Sequence, residues 1–222
     1  MKKILLFATF AAFTFTTANA QSEFRIGFKG GVNFSSVGGD FTDNYDGRTS
    51  FHIGGLVEIP ISEKFAIQPE LLYSSQGAKS EYDNSFGDSL VIGKEKLKLD
   101  YINIPIMAKY YIINGLSVEA GPQFGFLISA KNEYEVSGFR GDESGDDDVK
   151  DFYNSLDIAI GIGASYRLNN GVFFSLRFNK GITKVNEDLD YSVIEEGDPI
   201  PGFDYSYKQH NNVFQISAGY SF

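Results

Sequence analysis

The sequence has no cysteine and no tryptophan, and only two histidines and two methionines among its 222 residues. Without cysteine, neither a disulfide nor a thiolate metal centre can hold the chain together, so stability must come from packing or from closure of a sheet. Cationic excess is missing as well. The formal charge is −10, which argues against recognition of nucleic acid or of anionic lipid through net charge. After residue 20 no apolar run approaches the roughly 20 residues that a membrane-crossing helix needs, so a helical membrane protein is excluded. A membrane β-barrel is not, because its signal is alternation and not bulk hydrophobicity.

The first residues have a pattern of their own. Lys2 and Lys3 precede an apolar run from Ile4 to Phe15 and then Ala18-Asn19-Ala20, the three parts of a secretory signal. The alternative is an N-terminal anchor, for which the apolar stretch is short. The expected organisation is a signal peptide over 1–20 and one barrel domain over 21–222. Without Lys2 and Lys3 the formal charge goes from −10 to −12.

The rest of the chain divides into stretches that alternate with period two, as a strand between two environments should. In the first, Phe24, Ile26, Phe28, Val32 and Phe34 oppose Arg25, Gly27, Lys29, Gly31 and Asn33. Similar stretches cover 51–61, 65–74, 102–111, 116–129, 156–167, 172–179 and 213–222. Eight strands result, the even number that closure of an antiparallel barrel favours. Connections near 62–64, 114–115 and 169–171 are short, two of them carrying Asn-Gly, the dipeptide of tight hairpins. Those over 35–48, 77–96, 131–153 and 184–207 are long and rich in acidic residues. This sorting predicts short periplasmic turns and four extracellular loops on a closed, all-β, antiparallel up-and-down transmembrane barrel. Pro60, Pro69, Pro105 and Pro122 fall within strands, where bulges or strand ends are expected because a closed barrel has no free edge. Periodicity leaves open the facing of residues before Ile102 and around Lys180.

Volume and charge orient the faces. An eight-strand barrel has an interior that side chains alone fill, so the bulky Phe and Ile face must point to lipid and the small and charged face inward. Arg25, Lys29, Lys109, Arg167 and Arg177 then share the lumen with Glu58, Glu70, Glu119 and Asp157, where mutual neutralisation avoids several kcal/mol for each unpaired charge. Some, Arg167 above all, also read as solvated rim charges. Phe65, Tyr110, Tyr166, Tyr220 and Phe222 collect on the apolar face by the short turns, the position of an aromatic girdle. Their alternative reading is the general preference of aromatics for strands.

Several segments carry a resemblance: Gly30-Gly31-Val32-Asn33-Phe34-Ser35, Gln68-Pro69-Glu70-Leu71-Leu72-Tyr73, Tyr101-Ile102-Asn103-Ile104-Pro105, Glu119-Ala120-Gly121-Pro122-Gln123-Phe124-Gly125 and Arg177-Phe178-Asn179. Together they resemble the outer-membrane β-barrel family of Bacteroidetes-type bacteria, often labelled porin or PorT family. The resemblance implies a barrel in the cell outer membrane and no fixed activity. Phe222, with apolar or aromatic residues at alternate positions before it, resembles the C-terminal signal read by the barrel-assembly machinery.

No catalytic arrangement stands out. His52 points into the lumen, where neighbours such as Lys29 and Glu58 are expected, and His210 lies near Asp204. His52 reads more simply as a hydrogen-bonded interior side chain than as a general base, and a rim pair such as His210 with Asp204, which could activate water, arises easily in an acidic loop. The acidic stretch 141–148 lacks the spacing of an EF-hand loop and reads as a solvated loop before it reads as a calcium site. The expectation is no enzyme, no cofactor and no metal. The chain is read as a structural or surface-interaction scaffold with a filled interior; the alternative is a narrow or gated porin-like channel, and behind it a barrel enzyme or a secretion accessory. Outer-membrane lipid, the assembly machinery and an extracellular partner reached through the acidic loops are the expected contacts.

Overall fold

The computed structural model describes residues 24–86, 89–138, 141–187 and 208–222. Residues 1–20, expected to be a signal peptide, and Asp204 lie outside them. Nine strands follow in order: β1 (Arg25–Gly39), β2 (Tyr45–Pro60), β3 (Phe65–Phe86), β4 (Ser89–Ile113), β5 (Leu116–Gly138), β6 (Gly141–Asp148), β7 (Leu156–Arg167), β8 (Val172–Gly181) and β9 (Gln209–Ser221). Every pairing is antiparallel, and β1 pairs with β9 to close the ring.

Eight strands make that ring. The ninth, β6, continues the column of β7: beside β5, β7 pairs with the residues up to Phe126 and β6 with those from Lys131 onward. The register also sets the barrel's stagger. Hydrogen-bonded partners followed once around run Asp157, Gly125, Asn103, Leu72, Gly54, Lys29, Gly219, Phe173 and back to β7 at Arg167. The return is displaced by ten residues from the start (167 − 157). Eight strands with this stagger enclose a space that side chains fill.

Three of the four long connections differ from expectation. Residues 77–96 and 131–153 are not loops for most of their length: β3, β4, β5 and β6 run through them as continuous hairpins. Their polar sequence is compatible with strand because cross-strand charges pair, Lys131 with Asp146 at 2.7 Å and Lys98 with Glu133. The first long connection shrinks to residues 40–44. Of the last, 188–207 lies outside the described residues.

The prolines depart from expectation too. Pro60 ends β2, but Pro69, Pro105 and Pro122 sit within strands whose register runs on unbroken across them. The register shifts fall elsewhere, between Gly47 and His52 on β2, at Asp100/Tyr101 opposite β5, and near the β4–β5 turn. The second has a consequence for facing. Leu127 points inward, and beyond the extra residue Ala130 does so as well, because a one-residue slip exchanges the faces of everything after it.

Burial inverts the soluble pattern. Ile26, Phe28, Phe51, Ile53, Leu71, Ile162, Phe174 and Leu176 are each at least half exposed, while Lys29, Glu70 and Arg177 are nearly inaccessible. The two faces whose orientation periodicity left open are settled: Leu97, Leu99 and Tyr101 are buried inside, and Lys180 is exposed. At the end away from the short turns the interior holds an apolar cluster of Val37, Ala78, Leu97, Leu99, Tyr101, Leu127 and Ala130.

Candidate functional site

The chemistry of the barrel is concentrated in its interior, which is layered. In the middle layer β8 carries Arg177, whose guanidinium spans two carboxylates. Nη1 and Nη2 donate to Glu70 at 2.9 and 2.6 Å, and Nε donates to Glu119 at 2.7 Å. Lys29 closes the cluster on Glu70 at 2.7 Å. Two cations and two anions thus balance, with planar arginine geometry matching Glu70 bidentately.

Nearer the short turns the balance fails. Glu58 alone receives Arg25 at 2.6 Å, Arg167 at 3.2 Å and Lys109 at 3.0 Å. Gln68 joins the two layers, accepting from Lys109 at 3.0 Å and donating to Glu70 at 2.7 Å. Tyr111 offers its ring to the same cations, with Lys109 at 5.7 Å and Arg167 at 5.8 Å from its centroid.

On the other side of the middle layer the contacts are neutral. His52 Nδ1 faces Asn33 Oδ1 at 2.8 Å and its Nε2 faces Ser217 at 2.8 Å. Gln215 donates to the same Asn33 oxygen at 3.0 Å and accepts from Asn179 at 3.1 Å. Lys29 and Glu58 are therefore not the hydrogen-bond partners of His52; along β2, Glu58 lies six residues further toward the short turns (58 − 52). Both amide atoms of Asn103, Oε1 of Gln123 and Oδ1 of Asn179 are buried without a hydrogen-bond partner among the described residues.

Asp157 is the departure from the expected charge network. It is buried, but it accepts from Thr183 at 3.1 Å and Asn211 at 2.9 Å, and among the described residues it makes no ion pair. The register explains this. Asp157 lies opposite Gly125, whereas Glu119 and Arg177 both lie opposite Gly163, six residues further down β7 (163 − 157). Alternation places a residue on a face and says nothing about height in the barrel. The other eight charges that alternation assigns to the lumen fall into the two layers described.

The aromatic residues by the short turns are in contact on the outer surface. Phe65 and Tyr110 have centroids 5.0 Å apart, Tyr220 and Phe222 5.1 Å, and Phe28 and Phe222 6.3 Å. Tyr166 is exposed on β7, and the Phe222 amide donates to Ile26. Phe28 joins this group through its register opposite Tyr220, which alternation within one strand does not disclose.

The two histidines and the acidic stretch have plain surroundings. His210 Nδ1 faces the Thr183 carbonyl at 2.8 Å. Residues 141–148 form β6, whose pleat sends Asp146 and Asp148 to one face and Asp147 to the other. Beyond the membrane-facing apolar band the Lys98 ammonium holds the Glu133 carboxyl below its usual range, and Lys131 does the same for Asp146.

A family profile described as outer membrane protein beta-barrel domain matches residues 19–187. Among solved structures, Ail, the attachment invasion locus protein of Yersinia pestis, is 12% identical over 90% of this chain and 100% of its own, with a TM-score of 0.42. Neisserial surface protein A is 12% identical over 90% and 98%, with a TM-score of 0.46. The outer membrane protein OprG from Pseudomonas aeruginosa is 12% identical over 89% and 95%, with a TM-score of 0.37. No curated protein matches.

Proposed function

The chain belongs to the outer membrane protein beta-barrel domain family, and from that premise we propose that it is a closed scaffold which presents the β3–β6 hairpins at the cell surface and conducts no solute. It is a protein of the cell outer membrane. The observation that carries the reading is the Lys29–Glu70–Arg177–Glu119 cluster, because these charges meet across the lumen and are almost wholly buried. A solute would have to part ion pairs whose members have no water to return to, which costs several kcal/mol for each charge stranded.

The scaffold reading makes the molecule neither an enzyme nor a cofactor protein. Its contacts are lipid around the apolar band and an external partner at the hairpins, where the alternating lysines and carboxylates of β4, β5 and β6 lie. The finer likeness to the Bacteroidetes-type porin or PorT branch rests on the sequence segments alone. Purified protein in planar bilayers is expected to give no stable unitary conductance. A steady unitary conductance from the unmodified barrel would establish the second reading, a narrow channel, which the unpartnered amide atoms of Asn103, Oε1 of Gln123 and Oδ1 of Asn179 favour as groups suited to a water-lined path.

Phe222 and its aromatic neighbours are proposed as the edge anchor of the barrel and as the signal for its assembly machinery. Deleting Phe222 should leave export intact and lower the share of protein in the outer-membrane fraction; an unchanged share after fractionation refutes that role.

A further inference from the structure

The layer around Glu58 carries an excess of positive charge that the fold itself does not neutralise. Arg25 and Arg167 approach the same oxygen of Glu58, at 2.6 and 3.2 Å, while Lys109 occupies the other at 3.0 Å. Three cations therefore meet one carboxylate. Each guanidinium has five N–H donors, and for each a single hydrogen bond is found among the described residues. Both arginines line a cavity of 420 Å³ that opens at the short-turn mouth. No acidic side chain lines that cavity, and the main-chain carboxylate of Phe222 on its wall forms no ion pair with either arginine; its other polar side chains are the amides of Asn114, Asn169 and Asn170 and the hydroxyls of Ser221 and Tyr220.

Like charges held on one oxygen repel, and both arginines are only partly screened by solvent, with Arg167 four-fifths buried. An anion with several acceptor oxygens relieves the repulsion and uses the idle donors together. Arginine pairs prefer planar or tetrahedral oxyanions that accept two parallel bonds, and amide N–H groups add neutral donors around them.

We propose that the short-turn mouth of the barrel binds a phosphate group between Arg25 and Arg167, within the cavity they share with Asn114 and Asn170. The site lies beside Tyr220 and Phe222 at the edge of the apolar band, so the phosphate has two sources, a phospholipid headgroup from the adjacent leaflet or free phosphate in the solvent. The site is independent of whether the lumen conducts.

Inorganic phosphate is titrated into the intact barrel in maltoside micelles, which contain no phosphorus, and amide shifts are followed by NMR. Saturable shifts confined to the turns at Asn114-Gly115 and Asn170-Gly171 are expected. Arg25→Gln and Arg167→Gln should each weaken binding about tenfold or more, the worth of one charge-assisted bond, and Glu58→Gln should tighten it several-fold. Arg25 is the more exposed of the two, so its variant carries the test if Arg167→Gln does not fold. In phosphatidylethanolamine nanodiscs, turn signals already shifted and indifferent to added phosphate identify the lipid headgroup as occupant; signals that still titrate identify free phosphate. The proposal is overturned if the micelle titration gives no saturable response, if Arg25→Gln responds like the parent, or if chloride produces the same shifts.

Discussion

Replacing Arg177 by methionine is expected to destabilise the barrel by about 3–5 kcal/mol, the cost of breaking a buried ion cluster from one side. The side chain is 2% exposed and touches both Glu70 and Glu119, so its loss leaves two buried carboxylates with Lys29 as the one remaining cation of that layer. Glu119→Gln in the Arg177→Met background removes the excess anion while the Lys29–Glu70 pair at 2.7 Å survives. The double variant should therefore be more stable than Arg177→Met alone, against the additive expectation for two deleterious changes. Urea unfolding in lipid vesicles measures all three forms. If the second substitution only adds to the damage, charge balance is not what holds this layer.

Gly31→Val is expected to cost more than about 3 kcal/mol and to deplete the compact, heat-modifiable form on gels. A Cβ at Gly31 would stand 1.9 Å from the Ile216 carbonyl oxygen, 2.8 Å from Ser217 Cα and 2.9 Å from the His52 ring. Two of these are backbone atoms of β9, the strand that closes the ring on β1. An open sheet could relieve such a contact by splaying at an edge; a closed ring has none. Gly30→Ala is the control. Its added Cβ would meet nothing closer than 3.5 Å, so it should fold within about 0.5 kcal/mol of the parent. Equal losses for the two would mean that glycine content, and not the β1–β9 approach, is at issue.

Much of the fold was legible because a barrel wall separates two environments at every residue. Phe28, Lys29 and Asn33 declare their faces by parity alone, and Asn114-Gly115 and Gly171 mark turns because their geometry needs a positive φ, +82° and +89° at the two glycines. The hairpins of β3 to β6 were not legible as strand. Outside the membrane both faces of a strand can meet water, as along β6, whose residues are exposed on both faces apart from a half-buried Gly145, so Glu143, Asp146 and Asp147 alternate nothing that hydropathy can register. The bulge before Ala130 was hidden for a related reason: the backbone slip exchanges faces without leaving a turn residue behind.

The candidate site divides in the same way. Composition and parity placed Arg25, Lys29, Glu58, Glu70, Lys109, Glu119 and Arg177 inside, since a filled lumen admits charge only in compensated form. Partnership was beyond them. Arg177 joins Glu70, more than a hundred residues away in the chain, because a ten-residue stagger brings their heights together, and the same stagger carries Asp157 out of the network. The amino-acid sequence by itself determined the wall: strand, facing and short turns, all of them local consequences of period-two chemistry. Only the tertiary structure decided the layers, because height in a closed barrel is a property of the whole ring, summed over every register shift, and no single strand contains it.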